Sequence, residues 1–305
     1  MVSSVKKHKQ KQDLYVFRDM SDWQEILKFF YEDKVWRRKR AEYEWIFRGD
    51  NPAPPIVPRS HIPEKAFRSS LEKAFEEFGI KGKHKRKKIE QRLIREFRRK
   101  VFLHTNYKPV NWLECLALMQ HYGAPTRLLD WTYSFFVAVY FGIARAHKGS
   151  SVVWALNSNW LATKCKRVDE EKIAKIPKLS GKDTTDISNK VVHDLITDNP
   201  ESLIYAANPY SMNERLTVQR GVFLCPGNLS DKSWGENLED MLKTDQTRDC
   251  LWRISIHWKN AKRRREILRN LHEMNISQAS LFPDLGGFAE SLRTRVAHPE
   301  SLGIR

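Results

Sequence analysis

Apolar residues recur along this chain with two periods, and the period predicts the element. Ile89, Leu93, Ile94, Phe97 and Val101 share one helical stripe, which predicts a helix of about 20 residues ending near Leu103. FFVAVYFGIARA, after Ser134, is apolar nearly all round and reads as a buried helix capped by that serine. Asn111 is placed to cap a helix through Trp112, Leu113, Leu116 and Met119 that stops at Tyr122-Gly123, with Pro125 beyond. SSVVWAL (150–156) and Val222–Cys225 read as strands. CLWRISIHW (250–258) alternates well enough for a half-buried one. A further apolar run, Trp45-Ile46-Phe47, ends in Arg48-Gly49-Asp50.

Punctuation fills in the rest. Ser21 with Gln24 has the spacing of a capping box before a helix of about three turns. NPAPPIVPRSHIP (51–63) excludes a helix and predicts an extended crossing loop. Pro63 then suits the first turn of a helix running to about Phe78. SLIYAA (202–207) is a further candidate strand, and NERLTVQRG before Val222 reads as a turn. Residues 259–274 predict a second basic helix, with Ile267, Leu268, Leu271 and Met274 on one face. A last helix follows Gly286-Gly287. Residues 1–12 read as a disordered basic tail, and 163–200 as a polar insertion with a short helix near residues 191–196. No repeat or composition break marks a second core, so residues 13–305 are expected to form one α+β domain.

Charge changes the picture. The chain has 305 residues, a formal charge of +17 and 41% hydrophobic residues. That composition is globular, and the cationic excess favours polyanions, nucleic acid first. Between Lys81 and Lys100 stand 11 Lys and Arg against Glu90 and Glu96. The charge of this helix is therefore expected to face out, either as a solvated face or as a polyanion-binding one. The helices at 83–103 and 259–274 are the expected nucleic-acid contacts. The four cysteines, at 115, 165, 225 and 250, form no close pair. A metal or CxxC redox site is not signalled, and reduced thiols in a cytoplasmic protein are expected. No signal peptide is visible, and Asp130 interrupts the longest apolar run, so no membrane association is expected.

Candidate chemistry collects in FRGD (47–50), QHYGAPTRLLDWT (120–132), AVYFGIA (138–144), QRGVF (219–223) and SLFPDLGG (280–287). Together these segments, read across roughly residues 20–300, resemble the FRG domain, named for its Phe-Arg-Gly motif. Arg59 only approximates the further arginine usual in that family. The resemblance makes a role in phage defence or toxicity plausible. A fainter resemblance, in the order of features, is to ADP-ribosyltransferases, and it implies an ADP-ribosyltransferase-like domain with a small mixed sheet elaborated by N-terminal, basic and C-terminal helices. It implies NAD as substrate and no metal. Arg48 would hold the NAD pyrophosphate or ribose side, with Gly49, Gln120, Asp130 and Tyr140 also lining the cofactor site. Thr132 would position the ribose or nicotinamide. Gln219 would stand where the transferases carry a catalytic glutamate.

Each residue also has a plainer reading. Arg48 could end its strand in a salt bridge with Asp50 or Asp130. Gln120 and His121 could cap a helix C-terminus. Arg127 could pair with Asp130 to pin the loop. Thr132 could cap the helix that Ser134 begins, Tyr140 could pack in the core, and Gln219 could be a strand-edge residue. Three functions remain open from sequence: an NAD-dependent transferase acting on nucleic acid or a nucleic-acid-associated target; a metal-independent nuclease using His121 as general acid or base with Arg48 and Arg127 on phosphate; and a non-enzymatic nucleic-acid-binding module.

Overall fold

The strand expected at 150–156 lies in the interior of the sheet. In the computed structural model, which describes residues 13–107, 109, 111–146, 149–173, 203–207, 214–227, 229, 232–244 and 249–296, it runs from Ser150 to Asn157 and pairs on both sides. Among the described residues, seven strands form one mixed sheet: β1 (Val16–Met20), β2 (Trp45–Asp50), β3 (Leu129–Thr132), β4 (Ser150–Asn157), β5 (Ile204–Ala207), β6 (Gly221–Pro226) and β7 (Leu251–His257). Their order is β1-β7-β4-β2-β3-β6-β5. β1 runs parallel to β7, and every other neighbouring pair is antiparallel.

Both faces of the sheet are covered, because residues of both parities along the central strands are apolar. Phe47, Val153, Ala155, Trp252 and Ile254 face α1 (Trp23–Glu32), α2 (Lys34–Glu42), α6 (Phe135–Ala144) and α10 (Ala261–Glu273). Ile46, Trp131, Trp154, Val222 and Leu224 face the other way, against Phe67, α7 (Ser158–Ile173) and α9 (Trp234–Lys243). Over the β6–β5 end of the sheet, α4 (Lys83–Lys100) and α5 (Trp112–His121) build a third cluster with Leu128, Phe223 and Cys225. The remaining α-helices among the described residues are α3 (Ser70–Glu77), α8 (Glu214–Val218), α11 (Gln278–Leu281) and α12 (Leu285–Val296). The α+β expectation holds at this level, with a larger sheet than expected.

Several boundaries move for local reasons. Asp22, not Ser21, caps α1: its carboxylate accepts from the Glu25 amide at 3.0 Å, and the Glu25 carboxylate returns to the Ser21 amide at 2.6 Å. α3 starts at Ser70 rather than near Pro63, because Ser69 and Glu72 form a full capping box there. Residues 214–218 are helical rather than a turn. The start of the expected insertion, residues 163–173, continues α7, and the short helix expected near 191–196 lies outside the described residues. Tail residues 1–12 lie outside them too. β7 is buried from Leu251 to Ile256, with His257 partly exposed, rather than half-buried, because the proline-rich loop crosses its polar side. There the buried Arg253 guanidinium donates to the carbonyls of Pro54 (2.5 Å) and Pro55 (3.0 Å). All four cysteines are buried. Burial pushes the Cys115 thiol up to about 11 and the Cys225 thiol up to about 12, so both stay protonated near neutrality.

Candidate functional site: a hydrogen-bonded junction and a basic ridge

Arg48 lies where β2, still paired with β4 as far as Asp50, parts from β3. The strands β2 and β3 meet only at Phe47 and Thr132 and then diverge. Arg48 spans the opening: its Nη1 donates to the Asp130 carbonyl at 2.8 Å, and its Nε lies 2.9 Å from an Asp50 carboxylate oxygen. It thus replaces a ladder hydrogen bond with a side-chain one.

Thr132 and Gln219 are in direct contact. The Thr132 hydroxyl donates to the Gln219 carbonyl at 2.7 Å and accepts from the Ser134 amide at 3.0 Å. The buried Gln219 side chain reaches onward, donating from Nε2 to the Leu281 carbonyl at 2.9 Å. The Gln120 amide donates to Asp130 at 2.9 Å, while its oxygen accepts the Thr126 hydroxyl. Tyr140 donates to Gln278 at 3.2 Å, and Gln278 donates to Glu290 at 2.8 Å. Burial, with Glu290 nearby, pushes the Tyr140 phenol up to about 12. The motif segments are therefore sewn together: FRGD to DWT through Arg48, DWT to QRG through Thr132, and QRG to SLF through Gln219. The helix of AVYFGIA is fixed to α11 through Tyr140.

Gly49, expected at a cofactor, lies against α6. A Cβ there would fall 2.0 Å from the Ala138 carbonyl oxygen and 2.5 Å from the Gly142 nitrogen.

His121, at the end of α5, stacks edge-on against Tyr122 with ring centroids 4.8 Å apart. Partial burial, and next the positive field of Arg215, lower its pKa, with Asp284 opposing. His121 therefore sits neutral at physiological pH. Sequence reasoning passed over Arg215 and Asp284. Arg215 lies over the Phe282 ring at 4.3 Å; burial lowers its pKa, and Asp130 and Asp284 act against that. The available signal was its place on the segment leading into Gln219, which reads as a turn in sequence and folds as α8.

Arg127 pairs with Glu90 rather than with Asp130. It is fully buried, and its Nε donates to Glu90 at 2.7 Å, its Nη2 to the other carboxylate oxygen and its Nη1 to the Pro226 carbonyl at 3.0 Å. Asp130 faces solvent, so it could not offset the desolvation of a buried guanidinium, whereas the buried Glu90 does. Arg127 is accordingly out of reach of an external phosphate.

The basic helix α4 docks through Glu90 and Ile94, both buried, with Leu93 and Phe97 packed beside them. Lys88, Arg92, Arg95 and Arg99 follow the spacing i, i+4, i+7, i+11 and are all exposed, so they line one face opposite the docked side. On α10 the cations are more committed. Arg264 donates to the Ile143 and Ala144 carbonyls (3.2 and 2.7 Å), closing the end of α6, and Arg263 bonds Glu266 at 2.8 Å.

The family model of the FRG domain matches residues 43–151. This chain carries an FRG domain. The match takes in FRGD, QHYGAPTRLLDWT and AVYFGIA, hence Arg48, the Arg127–Glu90 pair and the whole of α4. It ends before QRGVF and SLFPDLGG, so Gln219 and Leu281 join the FRG domain through the hydrogen bonds above rather than within the matched span. Searches among curated proteins and among solved structures found no match. No helix among the described residues is long and apolar enough to cross a membrane.

Proposed function

We propose that this FRG-domain protein binds nucleic acid, with the exposed face of α4 as its phosphate-tracking ridge. The observation that carries this reading is the stripe Lys88, Arg92, Arg95 and Arg99 opposite a docked apolar side. Four guanidinium and ammonium groups held on one rigid rod at helical spacing can contact successive phosphates and release their counterions. Replacing all four with glutamine is expected to weaken binding at low salt. It should also lower the slope of log affinity against log salt by about 3 for a single strand, since each neutralised phosphate contributes ~0.7. Fluorescence anisotropy across a salt series measures both. An unchanged slope would remove the ridge from the interface.

A second reading, ADP-ribosyl transfer from NAD to that nucleic acid, draws on the convergence of Thr132 and Gln219 with Arg48 one strand away. For NAD to enter, the Gln219 side chain must leave the Leu281 carbonyl and Arg48 must leave Asp130. Calorimetric titration with NAD tests it directly, and absence of binding ends it. Gln219→Glu sharpens the result. With the side chain as a structural donor, the change sets a carboxylate against a carbonyl and costs about 1–3 kcal/mol in urea unfolding. The loss shrinks as pH falls, because protonation restores a donor. Gain of NAD turnover in that variant would instead favour transfer.

A further inference from the structure

Among the described residues two arginines are buried, Arg127 and Arg253, and the fold treats them differently. Arg127 faces the Glu90 carboxylate, which offsets its charge. Arg253 is 1% exposed and meets no carboxylate at ion-pair distance among the described residues. Its Nη1 and Nη2 donate instead to the neutral carbonyls of Pro55 and Pro54, at 3.0 and 2.5 Å, and its Nε is buried without a partner. The charged and titratable groups around it do not supply the missing anion. Arg48, in the same row of the sheet beyond Trp154, is paired with Asp50 at 2.9 Å. Asp19 on β1 is paired with His257, also at 2.9 Å. The Tyr15 phenol, raised by burial, stays protonated near neutrality and donates to the Val57 carbonyl at 3.2 Å. A buried charge held only by neutral dipoles is costly, and structural arginines are ordinarily compensated as Arg127 is.

Pro54 and Pro55 show the shape of what Arg253 accepts. They bring two oxygens to the two ends of the guanidinium fork, backed by apolar rings. The Trp154 ring lies 5.5 Å from the guanidinium, with Tyr15 edge-on to that ring at 5.7 Å. A carboxylate offers the same two oxygens in one plane and adds the negative charge the prolines lack. We infer that Arg253 anchors the carboxylate of a small acid with an apolar or aromatic body, and that the proline-rich loop occupies this site until the acid displaces it. Charge balance selects the carboxylate: a monoanion neutralises one uncompensated cation, whereas a phosphate dianion would leave a buried negative charge. A phosphodiester also carries one charge, but its neighbours along a strand would have to enter the same apolar layer. The loop is built to yield. Residues 51–69 form no helix or strand, and of residues 51–59 only Pro54 is buried. Beyond Arg253 and Tyr15, this stretch is tied by the Leu14 amide donating to the Arg59 carbonyl at 2.7 Å and by the exposed Arg59–Asp13 pair at 2.8 Å. The site is independent of the α4 ridge.

The test uses the full chain with benzoate as probe, benzamide as its uncharged counterpart and inorganic phosphate as the rival anion. Benzoate is expected to bind saturably by calorimetry and to change tryptophan fluorescence through Trp154. It should also speed hydrogen exchange at the Leu14 amide as the loop lifts. Benzamide is expected to bind at least about tenfold more weakly, the difference between a charged and a neutral hydrogen-bond partner. Arg253→Gln keeps a donor for the proline carbonyls and removes the charge, so benzoate binding should be lost. Pro54→Ala with Pro55→Ala leaves Arg253 in place and loosens the loop, and it is expected to bind benzoate several-fold more tightly, because a larger fraction of the protein is open. An arginine that only clamps the loop gives no such gain. Absence of benzoate binding, equal affinity for benzamide, tighter binding of phosphate than of benzoate, or unchanged benzoate affinity in either variant each overturns the assignment.

Discussion

Replacing Gly49 with alanine is expected to cost more than about 3 kcal/mol, beyond the usual range for an added methyl group in a packed core. The obstacle is backbone, not side chain. The new Cβ would meet the Ala138 carbonyl oxygen at 2.0 Å and the Gly142 nitrogen at 2.5 Å, and neither atom can rotate away. α6 must lift off β2 as a body. That movement would strip Phe47 and Phe135, which meet edge-on at 5.6 Å, and would pull Ser134 away from Thr132. Against a total stability of about 5–15 kcal/mol, such a loss leaves little folded protein at 37 °C. Urea unfolding followed by circular dichroism, or soluble yield where the variant does not purify, reads it. A loss below about 1 kcal/mol would mean that α6 slides freely over the strand and that Gly49 answers to something other than packing.

Removing the Arg127 side chain is the second severe change. Arg127→Ala leaves the Glu90 carboxylate buried without its cation and the Pro226 carbonyl without its donor. Breaking a buried pair from one side costs about 3–5 kcal/mol. Burial works to lower the Arg127 pKa, yet Glu90 raises it overall, so the guanidinium stays charged at every pH at which the protein folds. Replacing both partners with apolar residues, Arg127→Met with Glu90→Leu, should return stability to within about 2 kcal/mol of the starting protein, since no buried charge is stranded. The comparison also bears on function. The single variant loosens the seat of α4 without touching a ridge cation, so it is expected to weaken nucleic-acid binding while the salt slope per bound strand holds. Equal loss in the single and double variants would show that packing volume, not charge compensation, holds α4 in place.

How far the sequence reached can be seen element by element. The caps at Asn111 and Ser134, the stripe of α4, the stop at Tyr122-Gly123 and the buried character of α6 were all legible. Each is fixed by hydrogen bonds or spacings within three or four residues, and the Asn111 side chain, accepting from the Glu114 amide at 2.8 Å, is one such bond. β1, α2 and α9 went unread. The first is a short parallel edge strand beside β7, and the other two have apolar faces that only the sheet makes meaningful. Among the candidate site residues, sequence marked the segments that meet but not what they do on meeting.

The sequence by itself determined the local elements, the net cationic character and the motifs of the FRG domain. It also determined that α4 would turn its charge outward, because an apolar stripe on one side of a helix leaves no other place for the charge. Tertiary structure alone decided that Arg127 belongs to Glu90, 37 residues away, and that Gln219 belongs to the Leu281 carbonyl, 62 residues away. It alone set Gly49 beneath α6. The physical reason is the same in each case. A buried polar group or a close backbone approach is settled by whichever partner the fold brings within hydrogen-bond or van der Waals distance, and no periodicity along the chain records that partner's address.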